Sequence, residues 1–335
     1  MAGNPRVERA EAAPGSDSPR VGWRARLATL RRDRSALAGL VVVTTVLAVA
    51  TVAFVDAVVF AVLAEIRLFA SLGVEQYWLA KTVWISPTAE VAPELLPPVG
   101  LENTFGQGRL AHPLGTDDRG RDVLLRLLYG SRVAVQVALV ATLVGAVGGS
   151  AVGAVAGYYG GWIDDALMRG VEVLYAIPFL ILVLALLAVL QARDSLLVVT
   201  ATVGVVNVPE FARLIRSRVL AVREATYVEA ARAAGRSHLG VVWHHVVPNS
   251  LGPVVVQGTV RVGTAILVVA ALSFLGFGVS EPTPSWGAML ATARDVMLQN
   301  LWFSLWPGLA ILVTVVGFTL LGDGLRDALD PRDPQ

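Results

Sequence analysis

Few residues in this 335-residue chain have the types and spacing that chemistry needs. His244 and His245 are adjacent, which invites metal ligation. Neighbours on a helix point about 100° apart, and no carboxylate joins them at the spacing of an HExxH zinc site. A structural or docking role is expected instead. Asp164 and Asp165 follow Tyr158-Tyr159-Gly160-Gly161 and read as solvated turn residues rather than an acid–base pair. Lys81-Thr82 matches the end of a phosphate-binding loop, but Ala80 and Glu75 stand where G-x-x-x-x-G-K-[ST] needs glycine. Lys81 is the sole lysine, so the chain is not expected to bind ATP by that route. The chain has no cysteine, which removes disulfides, thiolate catalysis and thiolate-bound metal. No G-x-S-x-G, HExxH or paired carboxylates fall within an apolar run, so an enzyme is not expected.

The elements that carry these residues are apolar. The chain is 55% hydrophobic with a mean hydropathy of +0.64, which places it in the membrane class. A net charge of +1 gives no support to nucleic-acid binding. A spanning helix needs roughly 20 apolar residues. Six stretches qualify: 36–59, 133–158, 171–190, 195–214, 253–274 and 301–321. Pro209 and Glu210 interrupt the fourth, and Asp56 places the exit of the first near residue 59. Residues 1–35 read as a cytoplasmic tail whose basic end, WRARLATLRRDR, lies at the lipid surface. Its eight arginines, with Arg169, Arg213, Arg216, Arg218, Arg223, Arg232, Arg236, Arg326 and Arg332, put both termini inside. The short outer loops hold only Arg193 and Arg294. Residues 60–132 form an extracytoplasmic segment, ending in an amphipathic interfacial helix over 117–129 with acidic residues in its first turn. Residues 133–322 form the core, and 323–335 a cytoplasmic tail.

Within the second span, Gly145, Gly149, Gly153 and Gly157 recur every fourth residue, with Gly161 continuing the series. One helix face is therefore nearly bare, which suits close helix packing. Pro178 and Pro307-Gly308 predict kinks. Arg261, two turns into the fifth span, either snorkels to the interface or lines a path through the bundle. Trp286 reads first as an interfacial anchor and second as a path residue.

The loop at 224–249, EATYVEAARAAGRSHLGVVWHHVVPN, is polar and alanine-rich between two apolar runs. Tyr227, Ala230, Ala231 and Ala234 share a face, with Glu229 and Arg232 off it. Gly235 ends the helix where a left-handed residue fits. Pro248 ends a second short helix. Such a small-residue face suits a groove on another protein.

Glu229-Ala230-Ala231, then Gly235, His245 and Pro248, at these spacings, resemble the EAA loop of ABC importer permeases. The stretches at 112–124 (HPLGTDDRGRDVL), 272–290 and 320–332 look like the C-type permease of dipeptide, oligopeptide and nickel importers. The resemblance covers about 110–332 and the first span, but not 55–108. Family members often carry Glu where this chain has Val269, and a small residue where it has Arg261. The resemblance implies an all-α integral membrane protein, a six-helix bundle of the type I importer permease kind. Residues 224–248 would be its coupling loop, and the chain would be a non-catalytic subunit of a peptide importer. It implies a second homologous permease, one or two ATP-binding subunits that hold ATP and Mg, and an extracytoplasmic binding protein. This chain itself would carry no cofactor. The alternatives are a permease for nickel or another small solute, or a self-sufficient transporter or channel.

Overall fold

The computed structural model describes residues 33–329, apart from 67, 68, 70, 72, 84, 91, 192–194 and 280. The basic stretch up to residue 32, Arg193 and Arg332 lie outside the described residues. The first span, α1 (Arg34–Ala64), is longer than expected. Asp56 does not end it. A π turn at Val55–Val59 turns this carboxylate inward, where Tyr129 Oη and the amides of Leu79 (2.6 Å) and Ala80 (3.0 Å) donate to it. The buried charge thereby ties down a short helix, α2 (Trp78–Val83). A small hairpin follows, β1 (Glu102–Asn103) with β2 (Gly106–Gln107), which the sequence did not reveal.

The helix expected over 117–129 is not a separate interfacial element. Asp122 caps a single helix, α3 (Val123–Tyr159), which runs 37 residues without a break. Residues 117–121 form the loop before it. The glycine face of α3 lies against α6 (Leu196–Arg223). A Cβ on Gly145 would stand 2.7 Å from Asn207 Cβ, and one on Gly149 2.5 Å from Phe211 Cβ. One on Gly153 would overlap the Ala212 carbonyl, and one on Gly157 would meet Arg216 O at 3.0 Å. The contacts climb both helices together, so α3 and α6 run in the same direction. Gly161 belongs to the next element and has open space around it.

Parallel neighbours require one return crossing between them. That crossing is made by α4 (Gly161–Tyr175) and α5 (Phe179–Val189), bent by 91° at the residues around Pro178. The kinked span expected at 171–190 is instead part of this bent pair, whose first helix also takes in residues 161–170 with Asp164 and Asp165. Pro178 removes an amide donor and disfavours helix in the residue before it, so the chain turns there. By contrast, α6 continues through Pro209 without a break.

After α6 come α7 (Thr226–Ala233), α8 (His238–Val241), a π turn at Val242–Val246, and α9 (Val247–Ser250). Pro248 does not terminate a helix but sits in the first turn of α9. The helical chain runs on from the π turn through Ser250 without a break. The spans α10 (Gly252–Phe274) and α12 (Leu301–Leu329) pack on each other, with α11 (Trp286–Val296) against both. The last helix continues through Leu329, past the tail boundary expected at 323. Gly39 and Gly317 let α1 and α12 meet closely.

Candidate functional site

At the α3 entry, the stretches at 112–124 and 272–290 meet in space. Asp117 accepts from the amides of Arg119 and Arg121, both at 2.9 Å, and from Arg121 Nε at 2.7 Å. Arg126 Nε lies 3.3 Å from the same carboxylate. Arg121 reaches across to Glu281 Oε1 at 3.0 Å, and Arg119 to Oε2 at 2.8 Å. Asp122 caps Leu125 N and faces His112 Nδ1 at 2.8 Å. Asp117, Arg121, Asp122 and Arg126 are all buried. Burial and the Asp117 charge push the Asp118 carboxyl up. For Glu281 burial acts upward, but the hydrogen bond and charge of Arg121, with Arg119, outweigh it and lower the carboxyl. The sequence reading placed Asp117 in a helix turn and missed this knot. The signal lay in opposed charges crowded around Gly120, whose φ of +69° makes the turn.

Trp286 belongs to the same neighbourhood. It is neither an interfacial anchor nor beside the cavity described below. It is buried against Gly130 and donates Nε1 to Leu127 O at 2.7 Å, stapling α11 to α3.

At the opposite end of α3 and α6 stands α7. Its C-terminus closes with Gly235 N on Arg232 O (2.9 Å) and Arg236 N on Ala231 O (3.2 Å), a Schellman arrangement with Gly235 at φ +79°. Tyr227, Glu229, Ala230, Ala233 and Ala234 are exposed. The inward side was not the one expected. Ala231 is half-buried, and the anchor is Val228, fully buried among Phe211, Ile215, Val219, Val241 and Val246. Arg232 stacks over Tyr158 at 5.3 Å, and Arg223 donates to Gly157 O at 2.9 Å. His245 is half-buried and its carbonyl accepts from Asn249 at 2.6 Å, while His244 Nδ1 lies 3.0 Å from Gly240 O. Asp164 is no solvated turn residue: it is buried and forks onto Arg216 at 2.5 and 2.6 Å.

Between these ends, a cavity of about 380 Å³ opens beside the α4–α5 bend. It is lined by Tyr175, Phe179, Asn207, Glu210, Arg261 and Thr264, among others. Arg261 does not reach for the interface. Its Nε donates to Glu210 Oε1 at 2.7 Å, and a second guanidinium nitrogen meets Oε2. The sequence reading passed over Glu210 as an interruption of a span, whereas it is the partner of Arg261.

Among the described residues, five long apolar helices plus one bent pair, with a cavity among them and an exposed short helix at one end, define a polytopic helical membrane protein. Comparison with known proteins takes the assignment further. The family "Binding-protein-dependent transport system inner membrane component" matches residues 149–332. The dipeptide transport system permease protein DppC of Alkalihalophilus pseudofirmus is 43% identical over 221 residues, 66% of this chain and 72% of the relative. The glutathione transport system permease protein GsiD of Pectobacterium atrosepticum is 41% identical over 245 residues, 71% and 81% of the two chains. A solved amino acid ABC transporter crystallised with histidines overlaps 60% of this chain and 94% of its own, at 16% identity and a TM-score of 0.48. The chain belongs to the binding-protein-dependent transport system inner membrane component family, as a membrane-spanning permease subunit of an ABC importer.

Proposed function

We propose that this chain is one of two permeases in an importer that moves small peptides, driven by ATP hydrolysis on separate subunits. The peptide class follows the dipeptide and glutathione permeases it resembles. The observation that carries the mechanism is α7: an exposed face of Tyr227, Glu229, Ala230 and Ala234, closed by Gly235 and anchored underneath by Val228. Small side chains allow close backbone approach, so this face seats in a groove of an ATP-binding subunit. Movement of that subunit passes through Val228 and Arg232 to the ends of α3 and α6. His245 and Pro248 hold the segment that follows. The cavity with Arg261 is part of the solute path. A binding protein delivers solute at the α3 entry, outside the cell, and both termini are cytoplasmic.

The test is coupling with assembly intact. Glu229→Ala and Gly235→Val are expected to reduce transport and solute-stimulated ATP hydrolysis about tenfold, while the subunits still co-purify. A β-branched residue resists the left-handed conformation at 235. Full transport by both variants in a complete complex would remove α7 as the coupling element.

A further inference from the structure

The Glu210–Arg261 pair lies near the midpoints of α6 and α10, where two charges cost desolvation that apolar side chains avoid. Gln257 adds its amide to the same Glu210 oxygen. The pair is nonetheless not sealed: 27% of the arginine side chain and 21% of the glutamate side chain stay exposed, and both line the cavity. The rest of the lining is largely apolar, including Ile177, Pro178, Val206 and Val268. The volume lies within the range of roughly 300–1,000 Å³ usual for small-molecule sites.

A single ion entering this space finds an apolar wall and a pair already neutral. A solute with both an ammonium and a carboxylate finds a match. Its carboxylate can take the place of Glu210 on the planar guanidinium fork, and its ammonium can donate to the released Glu210. Each charge keeps an opposite partner, so no lone charge is left in a poorly solvated site. We propose that Glu210 and Arg261 form an exchangeable ion pair that receives the carboxylate and ammonium of a zwitterionic solute. The inference rests on the reading of this cavity as part of the solute path. It adds a specificity element: solutes lacking either charge leave one member of the opened pair unmatched.

The chain has no cysteine, so Thr264→Cys places a unique reporter on this chain, on an exposed wall of the cavity. The complete complex in nanodiscs is labelled with N-ethylmaleimide, a neutral reagent indifferent to the local charge. Ala-Ala at about 10 mM, suited to millimolar affinity, is expected to slow labelling about fivefold or more, as a site built for two charges should. N-acetyl-Ala-Ala-amide, with both charges removed, should leave the rate unchanged. In Glu210→Gln with Arg261→Gln, changed together so that no unpaired charge is left, labelling should persist and Ala-Ala protection should vanish. Co-purification of the ATP-binding subunits checks assembly of that variant. The comparison of the two dipeptides on the native pair decides the matter even where the double variant fails to assemble. No labelling of Thr264→Cys, at rest or during ATP turnover, defeats the path reading and this proposal with it. Labelling without Ala-Ala protection, equal protection by the blocked dipeptide, or protection that survives neutralisation overturns the ion-pair site alone.

Discussion

The loop that enters α3 and the loop that leaves α6 are both short and charged, yet they use charge in opposite ways. At the entry, Asp117, Arg121 and Asp122 are buried and tied to a distant strand of chain through Glu281. At the exit, Tyr227 and Glu229 of α7 face outward, Arg232 lies over Tyr158, and Val228 supplies the one buried apolar anchor. Buried, mutually satisfied charges resist displacement, because opening the set exposes several partners at once. An exposed helix on a single apolar anchor leaves its face available to another protein. On the function proposed above, the difference separates a region that fixes the bundle from one through which it would be moved.

The sharpest way to break this comparison is to show that the two loops lie on the same side. Single cysteines at Thr104 or Thr283 should react with an impermeant maleimide in intact cells, and one at Ser237 only after lysis. Labelling of position 237 from outside would put α7 where no ATP-binding subunit could reach it. Next in size is Asp117→Ala. It deprives buried Arg121 and Arg126 of their shared carboxylate and should cost about 3–5 kcal/mol. Loss of folded complex on gel filtration is expected, whereas Glu229→Ala at the other end should assemble normally. Equal yields from the two variants would erase the contrast.

The seam joining the two ends gives a third test. Gly153→Leu forces a side chain into the Ala212 carbonyl and should cost about 1–3 kcal/mol or more, as overpacking does. Val152→Leu, one residue away and off the seam, should be nearly neutral. Thermal unfolding of the assembled complex distinguishes them, and matching midpoints would discard the seam. The smallest effect concerns Glu281. Its carboxyl is lowered, so its contribution is full above the ordinary carboxylate range and is lost as pH falls through its own lower value. Glu281→Gln should flatten that acid limb by about 0.5–1 kcal/mol, since the group is partly solvated. An unchanged acid limb would mean that Glu281 adds nothing to the knot.

Most of the span order was legible, because roughly 20 apolar residues in a row have few other uses. The glycine ladder was legible for a related reason: a four-residue repeat of the smallest side chain marks one helix face. What escaped notice depended on partners remote in sequence. Glu210 looked like a flaw in a span until Arg261 stood beside it, and Asp56 looked like a terminus until Tyr129 met it. Asp164 seemed a turn residue because Arg216 lies far along the chain. The exposed face of α7 was half legible. Periodicity grouped Ala231 with Tyr227, but only the packing of Val228 shows which side is down. The right-angle bend at Pro178 was read as a kink because proline marks a break without giving its size.

One feature of α3 bears on scale. Its 37 residues at about 1.5 Å each make a rod of about 55 Å, longer than the hydrocarbon layer of about 30 Å. The rod is clamped by the Asp122 cap at its start and touched by Arg223 and Arg232 at its finish. With the clamped end as fulcrum, a swing of about 5° carries the far end about 5 Å, close to one helical turn. A displacement of that size at Gly157 and Tyr158 would therefore need only a small tilt of α3, and it would shrink steadily along the rod until the capped end barely moves.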